Sequence, residues 1–236
     1  MTALRDRADA AAQVLVDDLD APALDDHDAH HVRRVLRVRD DELVIATDGR
    51  GSWRRCALRG GALEPTGPVT TDPAPSTLVE VWLPALKGDR AEWAVAKLTE
   101  LGVDVIGLLT CERASTRLDG PRTARVLDRW RRVAREAACQ SRRTRLPDVT
   151  GPRDVAAAVE AGGVRCDLDG TLAVDGARCL LIGPEGGWSP DERAAPTASV
   201  SLADTVLRTE TAAVTAAALL VAARRATRHD AVHEAQ

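Results

Sequence analysis

The chain has 236 residues, 44 % hydrophobic and 29 % charged, with a formal net charge of −4. That length supports one good-sized core or two small ones without disulfides or metals. Nothing approaches the roughly 18 uninterrupted apolar residues of a bilayer span, so a soluble protein with no membrane partner is expected.

Arg5, Asp6, Arg7, Asp9, Asp17 and Asp18 stand where a secretory signal would need an apolar run. The cysteines, Cys56, Cys111, Cys139, Cys166 and Cys179, are odd in number and widely spaced, which argues against a disulfide framework or a zinc site and fits a reducing cytosol. Phe, Tyr and Asn are absent and Lys87 and Lys97 are the only lysines, a skew read as GC-rich coding bias. All aromatic packing therefore falls to five Trp.

In chain order, His27, His30 and His31 beside Asp25, Asp26 and Asp28 make a metal site conceivable by spacing, although no metal is expected. Residues 43–48 (LVIATD) and 53–58 (WRRCAL), separated by the turn-forming DGRGS, predict a hairpin in a small β-rich domain. Residues 66–76 (TGPVTTDPAPS), with three prolines, read as a linker. It divides a domain over 1–70 from a larger one over 77–236.

Beyond the linker, strands alternate with helices. Residues 79–84 and 104–110 read as buried strands, with a helix over 89–101 between them, started by Asp89 and Glu92 and stopped by Gly102. Val126, Trp130, Val133 and Ala137 recur at helical spacing, leaving Arg125, Arg129, Arg132 and Arg135 for other faces. Further strands are expected at 178–183 and 199–203, then an Ala-rich helix over about 211–226. This order predicts an α/β fold with a parallel sheet.

From Arg113 to Arg145 there are eleven Arg against Asp119, Asp128 and Glu136. Such a stripe is either a phosphate-binding footprint or a solvated helix face.

Two loops carry candidate chemistry. IGPEGGWSPDE, at 182–192, follows a strand, and its glycines let main-chain groups face a ligand at the carboxyl end of a parallel sheet. It also reads as a tight connection with Ser189 as N-cap and Pro190 in the first helical position. LRTETAAV, at 207–214, offers Thr209 or Thr211 as a helix cap and Glu210 near the positive helix end, whereas Arg208 serves neither purpose. Trp188 either stacks on a ligand or packs. No cysteine sits in a nucleophile motif, and both the GxxxxGK[ST] and GxGxxG fingerprints are missing.

Taken together, IGPEGG at 182–187 and VLRTETA at 206–212 resemble the RsmE family, ribosomal small-subunit RNA uridine methyltransferases of the SPOUT superfamily. KLTELGV at 97–103, CERAST at 111–116, REAACQSRRTRLPDV at 135–149, HHVRRVLR at 30–37 and DGRGSW at 48–53 extend the resemblance over most of the chain. Ala203 stands where the family commonly has Gly, and residues 166–177 match poorly.

The resemblance implies an N-terminal PUA-like β-barrel domain and a C-terminal SPOUT α/β domain with a deep trefoil knot. It further implies a cytoplasmic homodimer that uses S-adenosylmethionine to methylate N(3) of a uridine in 16S ribosomal RNA. The implied cofactor-binding residues are Leu181, Ile182, Gly183, Pro184, Glu185, Gly186, Gly187, Leu202, Ala203, Val206, Leu207, Arg208, Thr209, Thr211 and Ala212. Arg208 is expected to stabilise charge on the base, with Glu210 or Glu185 assisting deprotonation. RNA contacts are expected from Arg33, Arg34, Arg37, Arg113, Arg117, Arg142, Arg143 and Arg145. The rival reading is a non-catalytic RNA-binding or ribosome-assembly protein that keeps the fold, with Ala203 as its hint.

Overall fold

The expected hairpin forms because an aspartate organises its turn. In the computed structural model, which describes residues 2–116, 118–171, 174 and 176–234, Asp48 Oδ1 accepts from the amides of Arg50 (2.7 Å) and Ser52 (3.0 Å). This Asx-type turn joins two antiparallel strands.

The chain divides into two compact units, one of Met1–Pro75 with Arg135–Leu146 and another of Ser76–Ala134 with Pro147–Gln236. In the first unit, α1 (Thr2–Ala8) precedes β1 (Ala12–Leu15), then α2 (Asp26–His30) and a π-helical turn (His31–Val35). The hairpin strands β2 (Leu43–Thr47) and β3 (Ser52–Arg59) follow, then β4 (Ala62–Pro65) and β5 (Thr70–Thr71). The sheet runs β1-β2-β3-β4, with β5 also on β3.

Period-two alternation sorts its core. Val44 and Ala46 join Val14, Val32 and Leu58 on one face, whereas Ile45 turns the other way to Trp53. The segment read as a linker is structured. Asp72 accepts from the Arg7 guanidinium and the Thr144 hydroxyl at 2.8 and 2.7 Å, and from Trp53 Nε1 at 3.3 Å. Arg7 also lies over the Trp53 ring, 4.8 Å from its centroid.

The second unit carries the predicted strand–helix pattern in β6 (Glu80–Leu83), α3 (Arg90–Leu101), β7 (Val105–Thr110), α4 (Gly120–Gln140, whose residues from Arg135 onward belong to the first unit), β10 (Cys179–Leu181), α6 (Pro190–Ala194), β11 (Ser199–Val200) and α7 (Thr209–Glu234), and adds β8 (Asp148–Asp154), α5 (Val155–Glu160) and β9 (Val164–Thr171), which the sequence reading did not identify. Its order is β11-β9-β10-β6-β7-β8, with every pair parallel.

Both faces are covered, which is why the central strands are nearly all apolar. Val81, Leu83, Ile106, Leu108 and Leu180 face Leu98 of α3, Trp130 of α4 and Ala213, Ala217 and Leu220 of α7. Trp82, Leu109 and Leu181 face the other way, with Val155, Ala158 and Trp188.

Local differences have identifiable causes. Gly102, at φ 98°, ends α3 as predicted, but Asp89 makes no side-chain cap bond and Glu92 pairs with Arg129 at 2.8 Å. Strands β8 and β9 lack an apolar run. Pro152 is tolerated in β8 because that strand lies at the sheet edge. In β9, Arg165 is buried, and its Nη1 donates to the carbonyls of Glu192 (3.0 Å) and Ala195 (2.8 Å), so acceptors from the 192–195 segment let a polar residue sit inside the sheet. No helix among the described residues is long and apolar enough to cross a membrane.

Candidate functional site: a cavity between two loops

Beyond the carboxyl ends of β10 and β11, and beside residues 166–168 of β9, two loops enclose a cavity of about 580 Å³. Their closure rests on an interaction that capping logic did not anticipate. Thr209 Oγ1 donates to the Gly183 carbonyl at 3.1 Å, tying the start of α7 to the glycine-rich loop. The buried Thr209 hydroxyl thus joins two segments far apart in sequence, and α7 begins two residues before the predicted 211.

The glycine loop combines both roles open to it from sequence. Ser189 Oγ accepts from the Glu192 amide (3.1 Å) while Glu192 Oε2 accepts from the Ser189 amide (2.7 Å), a buried capping box with Pro190 opening α6. Glu192 Oε1 also accepts from the Glu112 amide at 2.8 Å, fixing the 111–116 segment beside the loop. A side chain at position 186 would meet the Arg113 carbonyl at 2.8 Å, and Gly187 has φ +69°, so glycine is needed at both places. Trp188 packs in the sheet's second core and donates Nε1–H to the Cys166 carbonyl at 2.9 Å.

Of the residues expected to hold a cofactor, Ile182, Gly183, Pro184, Glu185, Gly186, Gly187, Leu202, Ala203, Val206, Leu207, Arg208, Thr209 and Ala212 line this cavity. Leu181 and Thr211 do not: Leu181 points into the core, and Thr211 is exposed on α7. Ala203 is not among the positive-φ residues, so the usual glycine is not required there by backbone conformation. Sequence reading missed Cys166, Asp167, Leu168, Arg193, Ser201 and Thr205 in the lining. Asp167 pairs with Arg193 at 2.7 Å. Burial, with Cys179 and Asp167 nearby, pushes the Cys166 thiol up to about 12.

The three expected catalytic side chains separate. Arg208 is exposed on the cavity wall and, among the described residues, its side chain makes no hydrogen bond or ion pair. Glu185 lines the same cavity, with its side chain 37 % exposed. Glu210 is outside the lining: its buried side chain turns to Arg90, with 3.7 Å between Oε2 and Nη1. The same guanidinium reaches Glu185 at 2.8 Å.

Family models match both units: one described as "RNA methyltransferase domain" over residues 73–221, another as "RNA methyltransferase PUA domain" over 24–61. The chain is 35 % identical over 226 residues to ribosomal RNA small subunit methyltransferase E of Mycobacterium bovis, covering 82 % of this chain and 83 % of that one. The chain belongs to the RsmE family.

Another RsmE relative, from Bacillus subtilis, is 25 % identical over 213 residues, covering 78 % of this chain and 83 % of that one. The solved RsmE of Neisseria gonorrhoeae, bound to S-adenosyl methionine, superposes with a TM-score of 0.75 at 26 % identity, covering 92 % of this chain and 97 % of that one. The architecture is accordingly an RsmE-type PUA domain followed by a SPOUT α/β domain.

Among the arginines expected to contact RNA, Arg33, Arg34 and Arg37 are exposed on the π-helical turn and its end. Arg113 is also exposed, although its Nη1 donates to the Trp188 carbonyl at 3.2 Å. Arg142 donates to the carbonyls of Ala10 (2.6 Å) and Cys139 (3.2 Å), and Arg145 to those of Asp72 (2.9 Å) and Arg50. Arg143 is half-buried, and Arg117 lies outside the described residues. No group of three His, Cys, Asp or Glu among the described residues gathers as a metal site. The side chain of His27, one of the three histidines of the conceivable metal site, lies outside them.

Proposed function

We propose that this chain uses S-adenosylmethionine to methylate N(3) of a uridine in 16S ribosomal RNA of the small subunit, acting in the cytoplasm as a homodimer. The observation that carries this reading is the cavity walled by the two loops, with Arg208 on its wall, its side chain without a partner among the described residues. Its volume lies in the range of small-ligand pockets. Its walls combine a close-packed glycine turn with apolar Ile182, Leu202 and Leu207, a surface suited to a nucleoside whose polar edges meet main-chain groups. The side chains present therefore fit the cofactor, and Ala203 offers no backbone obstacle.

When bound, the cofactor supplies an electrophilic methyl group on a sulfonium whose leaving group is a neutral thioether. The residues then have three tasks. The loop main chain orients the donor and excludes water, and this positioning supplies much of the rate. Glu185, at the cavity wall, accepts the N(3) proton, because the imide must lose it before its lone pair can attack. Arg208 faces the negative charge that spreads onto the uracil carbonyls and stabilises it. The reacting edge is the pairing edge, so the base enters unpaired or flipped out. We assign Glu210 to holding Arg90, in view of its burial behind the wall, and leave proton transfer to Glu185.

Exposed Arg33, Arg34, Arg37 and Arg113 are the phosphate contacts in this reading. Val206 (80 % exposed) and Leu168 (59 %), both in the cavity lining, support a second copy covering this region. We assign the trefoil knot that the family resemblance implies to the chain around β10, β11 and α7.

The test is methyl transfer from labelled cofactor to naked 16S RNA and to small subunits that lack the modification, with mass spectrometry of the nucleosides. N(3)-methyluridine at one position is the expected product. Methylation of another atom, or none with either substrate, would overturn the assignment. Sedimentation at micromolar concentration should give twice the chain mass.

A further inference from the structure

Arg90 belongs to neither loop, yet its guanidinium touches both loop regions. It occupies the first position of α3, with Nη2 2.8 Å from Glu185 Oε1 in the glycine loop and Nη1 3.7 Å from Glu210 Oε2 in the first turn of α7. Glu210 is 8 % exposed, and its Oε2 is a buried atom with no hydrogen bond. Arg90 is thus the cation that faces that carboxylate. Glu185 lies at the cavity wall. The three side chains form a chain from buried anchor to cation to wall, alongside the Thr209 to Gly183 hydrogen bond.

We propose that Arg90 is a positioning residue that clamps the two cofactor loops together, with Glu210 as its buried anchor and Glu185 as the wall carboxylate it sets. The inference rests on the cofactor reading of the cavity. Arg90 acts by fixing the shape of the cofactor site, so its removal enlarges the set of loop conformations from which binding must select. Arginine suits this task because its planar fork reaches two carboxylates at once, which a lysine point charge does not.

The experiment measures S-adenosylmethionine binding by calorimetry, and kcat and KM for both substrates, on the full chain and on Arg90→Met, Glu210→Gln and the double variant. Wild-type binding comes first: no binding there would sink the cofactor reading itself. With the wild type binding, Arg90→Met should raise the cofactor Kd and KM by about tenfold, while the KM for RNA stays within about twofold. Arg90→Met also strands a buried carboxylate and lowers the melting temperature, so stability alone does not decide the matter.

The double variant does decide it. Removing both charges should restore the melting temperature of Arg90→Met, yet leave the Kd raised by no more than the single change, because both substitutions break one clamp. Arg90→Lys should recover only part of the affinity. Wild-type cofactor affinity in folded Arg90→Met, or affinity regained along with stability in the double variant, would overturn the clamp.

Discussion

Arg142 and Arg145 close their guanidiniums on carbonyls of their own unit, whereas Arg208, in the loop before α7, lines the cavity with no partner among the described residues. The two regions carry the same side chain and opposite duties. In residues 142–145 the arginines satisfy main-chain acceptors that turns leave open, and Arg142 itself has φ 60°. Around Arg208, Thr209 and Glu210 have taken the structural roles, one bonding Gly183 and the other Arg90. The lesson is that available charge is what remains after the main chain and buried acids have been served, and a count of arginines does not report it.

The largest predicted effect would break this contrast at the cavity. Arg208→Ala should lower kcat by about 10²–10³-fold at saturating cofactor and RNA, the usual loss for a donor aimed at developing charge. Cofactor affinity should stay within a few-fold. Normal turnover would return Arg208 to the surface and leave the cavity without its stabilising cation.

Next in size is the opposite region. Arg145→Ala should destabilise its unit by about 1–3 kcal/mol, read as a lower denaturant midpoint, because the carbonyls of Arg50 and Asp72 lose a charged donor. The slope of log affinity for RNA against log salt should barely change. Replacing Arg33, Arg34 and Arg37 with Ala should do the reverse, reducing that slope by about 2 with the fold intact. A steep salt effect from Arg145→Ala would show that the structural and phosphate-facing arginines are not distinct sets.

Thr209→Val sharpens the comparison at the seam between the loops. Loss of the bond to Gly183 should cost about 1 kcal/mol, near fivefold in cofactor affinity, with the RNA salt slope unchanged.

The smallest effect at neutral pH concerns the thiols. Burial is the main cause that pushes Cys139 up to about 11 and Cys166 and Cys179 up to about 12. Each is raised in the folded state, so its contribution to stability is complete below an ordinary thiol value. That contribution is lost as pH rises from about 9 to about 11 for Cys139 and to about 12 for Cys166 and Cys179, by up to roughly 1.4 kcal/mol per pH unit for each thiol. Alkaline unfolding followed by circular dichroism should begin in this window and move upward in Cys166→Ala/Cys179→Ala. At pH 7 all five thiols should react sluggishly with alkylating agents.

Much of the outline is written in local pattern. Asp48 and its glycines set the hairpin, Gly102 the end of α3, and Ser189 with Pro190 and Glu192 the start of α6. Alternating apolar residues give β6 and β10 their two buried faces, and IGPEGG with VLRTETA is specific enough to name the family. These features are legible because each is fixed by residues only a few positions apart.

What only the tertiary structure decided involves partners distant in the chain. Strand β9 is polar in sequence, yet it sits inside the sheet because carbonyls of residues 192 and 195 receive Arg165. Residues 135–146 join the first unit across some sixty intervening positions, through hydrogen bonds such as that from Gln13 Nε2 to the Arg143 carbonyl at 2.8 Å. Arg90 was silent in the sequence, because a guanidinium in the first turn of a helix is ordinary until two carboxylates, one from the glycine loop and one from the first turn of α7, arrive beside it. Local pattern fixes which elements form. The pairing of buried polar groups, which depends on what lies near in space, fixes which side chains remain free for chemistry.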